Sequence, residues 1–393
     1  LFSVLTVSLL LYSLYNYYRN PFPFSRRDLL CFVAVSALFW IYSLSLIWSA
    51  DIINGLLFLK SQAFLLLIPL VVLFQKKLVA EHINRWINIY LAAICLAWLA
   101  TLVAHFLPDD VMQTLTKNDK LFQPFSSYNT LLFGMYSPFI TRIQFCNFLV
   151  VGFFMGLHNF IKNRSFYNLI IVGFLLSGLI LLGGRGGLLA WFVACSFFFI
   201  LYSSSLCSIV WKKLFISLGS IGLVLIVGYL LLFHVEPVRS RFAQHRYETE
   251  LIRSGEFRKQ DYSHFTTLRR FVSWENSLNL IQTHPILGTG IGDYAAAYQN
   301  IYDTDKYELP VNNHSEYFHI AGSTGIVGLG LFAVSLLLFF YLLYDLPRLP
   351  DRAIAYSCIL VFIVAFIPDA LLLKQVDLSH FALILSFWLW SKP

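Results

Sequence analysis

Two short stretches of this 393-residue chain hold the residues best suited to chemistry. The first is GGRGG, Gly183–Gly187, an arginine with two glycines on each side. Glycines let backbone amides approach an anion closely, and a guanidinium forks onto two phosphate oxygens at once. The simpler reading is a glycine turn whose Arg185 snorkels to the membrane edge. The second stretch is VNNHSEYFHIAGSTGIVGLG, Val311–Gly330. His314 offers an imidazole able to take a proton near neutral pH, with Glu316 and His319 close by in sequence. At about 100° per residue, His314 and His319 would stand on different faces of a helix. A metal pair is therefore not expected, and no HExxH-like spacing occurs. The alternative role for His314 is to cap a helix that starts near Asn312 or Ser315.

Further ionisable residues stand near the same membrane edge. Arg142, Arg269, Arg270 and Lys374 could join in holding a pyrophosphate, which needs several convergent cations both as ligand and as leaving group. Arg269 and Arg270 are adjacent, so a helix cannot turn both toward one ligand without strain. Asp369, just after Pro368, is a partner for an arginine, and Asp377 flanks the same turn. Lys60 lies inside an apolar run, where an ionisable group is a functional candidate by default.

The elements that must position these residues are membrane spans. The chain is 58% hydrophobic and 12% charged, against about 25% charged residues in a soluble domain, so lipid must cover what no core could hide. Apolar runs near 1–18, 29–48, 52–74, 85–107, 143–161, 166–182, 187–206, 213–234, 319–344, 353–371 and 378–391 predict an all-α bundle of about 11–12 spans. Leu1–Tyr18 is too long and aromatic for a cleaved signal peptide and reads as a span. The chain opens on Leu1, and a span ahead of it would bring both ends to the cytoplasmic side. The division is 1–234 as spans with short loops, 235–318 as one large, mainly helical outer loop, and 319–393 as closing spans. Within that loop, apolar Leu268, Phe271, Val272, Leu278, Leu280 and Ile281, with Trp274 on the same side, predict an amphipathic helix over 268–283. PILGTGIGDY, with Pro285 and three glycines, must turn.

The charge of +7 is scattered through short loops, which is the pattern of orientation rules rather than of nucleic-acid binding. Arg19, Arg26, Arg27, Lys76, Lys77, Arg85, Lys162, Arg164, Lys212, Lys213, Arg348 and Arg352 occupy one alternate set of loops, the cytoplasmic one. All six cysteines lie in or beside apolar runs, so neither a disulfide framework nor a cysteine metal site is expected.

Together, GGRGG followed by LLAW, HPILGTGIGDY and NNHSEYFHIAGSTGIVGLG resemble the bacterial O-antigen ligase and polymerase family, over roughly residues 140–345. The resemblance implies a membrane glycosyltransferase in the bacterial inner membrane with its active site facing the periplasm. Its donor would be a glycan on undecaprenyl pyrophosphate and its acceptor a hydroxyl of lipid A–core, with membrane lipids around it and no cofactor. Arg185 would bind the pyrophosphate and His314 would deprotonate the acceptor. The chain departs from the family pattern at Ser315, where Asn is usual, and at Ser323, where Glu is usual. The single large outer loop favours a ligase over a repeat-unit polymerase; a protein O-oligosaccharyltransferase of the same family is a further alternative. A transporter fits less well, because the polar motifs gather at one face rather than at mid-membrane. In this orientation, a cysteine introduced at Gly186 reacts with an impermeant thiol reagent applied from outside; labelling only from the cytoplasmic side would reverse the topology.

Overall fold

The computed structural model describes residues 2–106, 137, 139–206, 218–219, 222, 226–230, 234–256, 265–301 and 313–391, and among them there is no strand. The helices are α1 (Phe2–Arg19), α2 (Arg26–Ser45), α3 (Ile52–Gln62), α4 (Phe64–Phe74), α5 (Lys76–Glu81), α6 (Ile83–Phe106), α7 (Arg142–Asn163) and α8 (Phe166–Leu182). They continue with α9 (Arg185–Leu206), α10 (Glu236–Ser254), α11 (Thr266–Thr283), α12 (Tyr294–Ile301), α13 (Glu316–Leu343), α14 (Leu349–Ala365) and α15 (Gln375–Leu389). The protein is an all-α polytopic membrane protein.

Six stretches among the described residues are long and apolar enough to cross a bilayer: Arg26–Trp48, Ile52–Phe74, Ile83–Phe106, Arg142–Asn163, Arg185–Ser203 and Glu316–Leu343. Phe166–Leu182 and Gln375–Leu389 are apolar but shorter. The run expected over 353–371 is helical only to Ala365, because a helix cannot run on into Pro368 without losing a hydrogen bond and straining the residue before it. Most of the span expected over 213–234, and most of the outer loop 108–142, lie outside the described residues.

The chain forms two compact units that do not follow chain order: Leu1–Ile83 with Glu248–Asp345 and Phe366–Pro393, and Asn84–Tyr247 with Leu346–Ala365. In the first, α2 packs on α13 and α15 packs on α4. One end of α2 is fixed by a capping box, in which Ser25 Oγ accepts from the Asp28 N–H and Asp28 accepts from the Ser25 N–H. The same buried carboxylate also accepts from Lys76 Nζ at 2.5 Å and Trp390 Nε1 at 3.0 Å, so one acid ties together three segments far apart in sequence.

The long helix α13 is broken inside the span. Gly325 has φ 68° and ψ −173°, a conformation open essentially to glycine alone. The backbone groups that the break frees are taken up by the loop after α11. Ile326 N–H donates to the Pro285 carbonyl (2.9 Å) and Val327 N–H to that of Ile286 (3.3 Å). Thr289 N–H donates to Gly322 O (3.0 Å) and Gly290 N–H to Ser323 O (2.9 Å). A Cβ on Gly325 would run into the Ile286 carbonyl, and one on Gly288 into the Ser323–Thr324 backbone. Beyond it, Ser45 and Ser49 hydroxyls accept from the N–H groups of Ile291 and Gly292 (3.2 Å each), and Asp293 accepts from Ala50 and Asp51.

α11 is amphipathic as expected, with a rotated face. Leu268, Val272 and Leu280 are buried with Ser273 and Ser277, whereas Phe271 and Leu278 are exposed. The two serines let α12 approach closely, and Tyr298 donates to the Ser273 carbonyl at 3.2 Å. In the second unit, α9 and α14 meet through Ala190, Ala194, Ala353 and Ser357, all fully buried, and Ser357 Oγ donates to the Ala194 carbonyl at 3.2 Å. Trp98 fills the space against Phe145, Phe174 and Gly178.

Gly325→Ala should cost about 3 kcal/mol through backbone strain and collision, read as a lower apparent Tm in detergent. Gly330→Ala, at an open helical position, should be neutral. Equal melting of Gly325→Ala and parent would mean that the break is not needed.

Candidate functional site

The first unit brings His314, Asp369, Lys374 and Arg270 together. His314 sits immediately before α13, whose N-cap is Ser315. Beside it, Asn313 ties down the chain entering the helix. With its oxygen toward Tyr294, the Asn313 amide accepts from the Tyr294 hydroxyl (2.6 Å) and the His319 N–H (2.8 Å), and donates to the Ser315 carbonyl (2.8 Å). The imidazole of His314 is left for other work. Trp274 Nε1 fixes its backbone by donating to the His314 carbonyl at 3.0 Å. Nδ1 lies 3.9 Å from Asp369 Oδ1, within electrostatic reach but long for a hydrogen bond. Nε2 is buried and has no hydrogen-bond partner among the described residues.

Asp369 is buried, with Lys374 Nζ 3.4 Å from its other oxygen. Burial alone would push its carboxyl pKa up. His314, Lys374 and Arg270 outweigh that and hold it below the usual carboxylate range. Arg270 is pulled down by its own burial, opposed by the charges of Asp369 and Glu248. Its Nε also lacks a hydrogen-bond partner among the described residues. Arg270, rather than its neighbour Arg269, thus feels Asp369. Glu248 places it: the buried carboxylate accepts from the Thr267 N–H (2.5 Å) and the Leu268 N–H (2.9 Å), closing the first turn of α11.

Sequence reasoning missed the residue that pins this cluster. Glu316, fully buried, accepts from the Leu372 N–H at 2.8 Å through its side chain, and its own N–H donates to the Phe366 carbonyl at 3.0 Å. These two bonds clamp both ends of the 366–372 turn that carries Asp369. The only sequence signal was its position two residues after His314. His319 is buried among Tyr42, Phe58 and Tyr294 and meets the Tyr42 hydroxyl at 3.1 Å. Lys60 is exposed near the end of α3, and Asp377 is buried in the first turn of α15.

The second unit holds Arg142 and Arg185. Gly183 closes α8 in the left-handed conformation (φ 60°), and Arg185 begins α9. Gly184 and Gly187 lie directly on Cys146 of α7; a Cβ on either would collide with its side chain. A Cβ on Gly184 would also reach Arg142 Cγ at 3.9 Å. Arg142 is the first residue of α7, after the Thr141–Gln144 pair in which Thr141 N–H donates to Gln144 Oε1 at 3.0 Å. Two half-buried arginines thus stand at the N-termini of two packed helices, where backbone amides and the helix dipole also favour an anion.

Glu316→Ala leaves the buried Leu372 N–H without its acceptor and should cost about 1–3 kcal/mol, whereas Glu316→Gln keeps an acceptor oxygen and should stay within about 1 kcal/mol. Apparent Tm checks both; an equal fall in the two variants would assign the effect to charge instead.

The family model described as O-antigen ligase matches residues 170–333, a segment that contains Arg185, Arg269, Arg270 and His314. No curated protein matches the chain. The matched segment runs from α8 across GGRGG to the broken helix α13, and over it the chain is similar to the O-antigen ligase family.

Proposed function

We propose that this protein moves a glycan from undecaprenyl pyrophosphate to a hydroxyl of lipid A–core, at the periplasmic face of the inner membrane. The family match over residues 170–333 supports the coarser frame, glycosyl transfer of the ligase or polymerase kind. One observation supports the catalytic part most: the His314 side chain makes no capping bond to α13, and its ring faces Asp369 instead.

In this reading His314 Nε2 takes the proton of the acceptor hydroxyl as its oxygen attacks the anomeric carbon. The bond from that carbon to the pyrophosphate oxygen breaks, and the electron pair leaves with the pyrophosphate. Asp369, at Nδ1, favours the tautomer with Nε2 free and stabilises the imidazolium that forms. Arg185 and Arg142 hold the departing pyrophosphate, where developing negative charge is best stabilised by donors already in place. Arg270 and Lys374 keep Asp369 ionised and add positive charge; Arg269 is a further anion contact. The leaving group is already activated, so neither nucleotide nor metal is required, and transfer should survive thorough chelation.

The test is transfer of a lipid-linked glycan to purified core acceptor by the reconstituted protein. His314→Asn keeps hydrogen-bonding ability but cannot accept the proton, so transfer should fall ~10²–10⁴-fold with insertion unchanged. Arg185→Lys keeps the charge but loses the bidentate fork, and should also be strongly impaired. Near-parental transfer by His314→Asn would remove the base, and by Arg185→Lys the clamp. Extension of a second lipid-linked glycan, with core acceptor ignored, would assign the polymerase reaction.

A further inference from the structure

A second polar site lies in the second unit, at the opposite end of α7 from Arg142. A cavity of about 430 Å³ is lined there by His158, Lys162, Arg348 and Asp351, with Ile161 and Ile354 in its apolar wall. His158 Nε2 lies 3.2 Å from Asp351 Oδ1, with the imidazole side chain only 7% exposed. The one carboxylate of the cavity is therefore engaged by its own histidine. Lys162 and Arg348 are the cations left to act on a ligand; Lys162 is steadied by donating to Asn84 Oδ1 at 2.9 Å, and Arg348 is exposed.

Position and lining identify what would fit. Lys162 follows Arg142 by 20 residues on one continuous helix, about 30 Å at 1.5 Å per residue, which is the thickness of the hydrocarbon layer. The cavity thus stands at headgroup depth in the leaflet opposite to Arg142. An arginine fork and a lysine point charge suit phosphate oxygens. The isoleucine wall suits the glycerol and upper acyl carbons of a lipid, and offers nothing to a fully hydrated free ion. We propose that this cavity binds the phosphate headgroup of an anionic phospholipid, in the leaflet opposite to Arg142.

Native mass spectrometry of the purified full chain, offered equal phosphatidylglycerol and phosphatidylcholine, tests this directly. The parent should retain phosphatidylglycerol in preference. At the usual value of one basic residue near a charged surface, Arg348→Gln should weaken that retention roughly 5-fold and Lys162→Gln/Arg348→Gln roughly 30-fold. An apparent Tm equal to the parent's shows that the variants are folded, and the single variant serves if the double one is not. Equal retention of both lipids by the parent, or an unchanged preference in the folded variants, overturns the proposal. Displacement of phosphatidylglycerol by millimolar inorganic phosphate overturns the lipid source and leaves a free-phosphate site.

Discussion

Backbone hydrogen bonding in hydrocarbon is the constraint on which the first unit depends. A helix broken at Gly325, within a stretch apolar enough to cross a bilayer, frees carbonyls and amides, and each left unpaired in lipid would cost several kcal/mol. The loop from Pro285 to Gly290 meets that demand with its own backbone, and Ser45, Ser49 and Asp293 bind its far side to the end of α2. Glycine is needed at 288 and 325 because two backbones cross where any Cβ would overlap them. The first half of α13, and His314 ahead of it, take their direction from this crossing rather than from the rest of the span.

Around His314 the balance is between desolvation and compensation. A buried carboxylate is costly unless cations and hydrogen bonds surround it. Asp369 has Lys374, His314 and the charge of Arg270, and it stays ionised despite burial. Those groups come from three separate segments, so the arrangement exists only while Glu316 clamps the 366–372 turn and Glu248 sets the first turn of α11. In the second unit the corresponding device is steric. Two glycines let the α9 entrance rest on Cys146, and the arginine between them is held beside the start of α7.

The amino-acid sequence by itself determined the all-α membrane architecture, the amphipathic helix over 268–283, the turn after Pro285, and the two motifs that carry Arg185 and His314. These are local properties, set by hydropathy, period and glycine content within a few tens of residues. The face of α11 was misjudged because small serines, not large apolar residues, mark its contact with α12. The end of the helix after 353 came early because Pro368 outweighed continuing hydropathy.

Only the tertiary structure decided that Asp369 stands beside His314, that Arg270 rather than Arg269 feels its charge, and that the His314 ring does not cap the helix. Glu316 was unreadable because its partners, Phe366 and Leu372, lie some 50 residues away and offer only backbone groups, which every residue has. The pairing of PILGTG with the Gly325 break was equally hidden. A sequence shows where a helix is weak, but which distant backbone satisfies it is settled by packing alone.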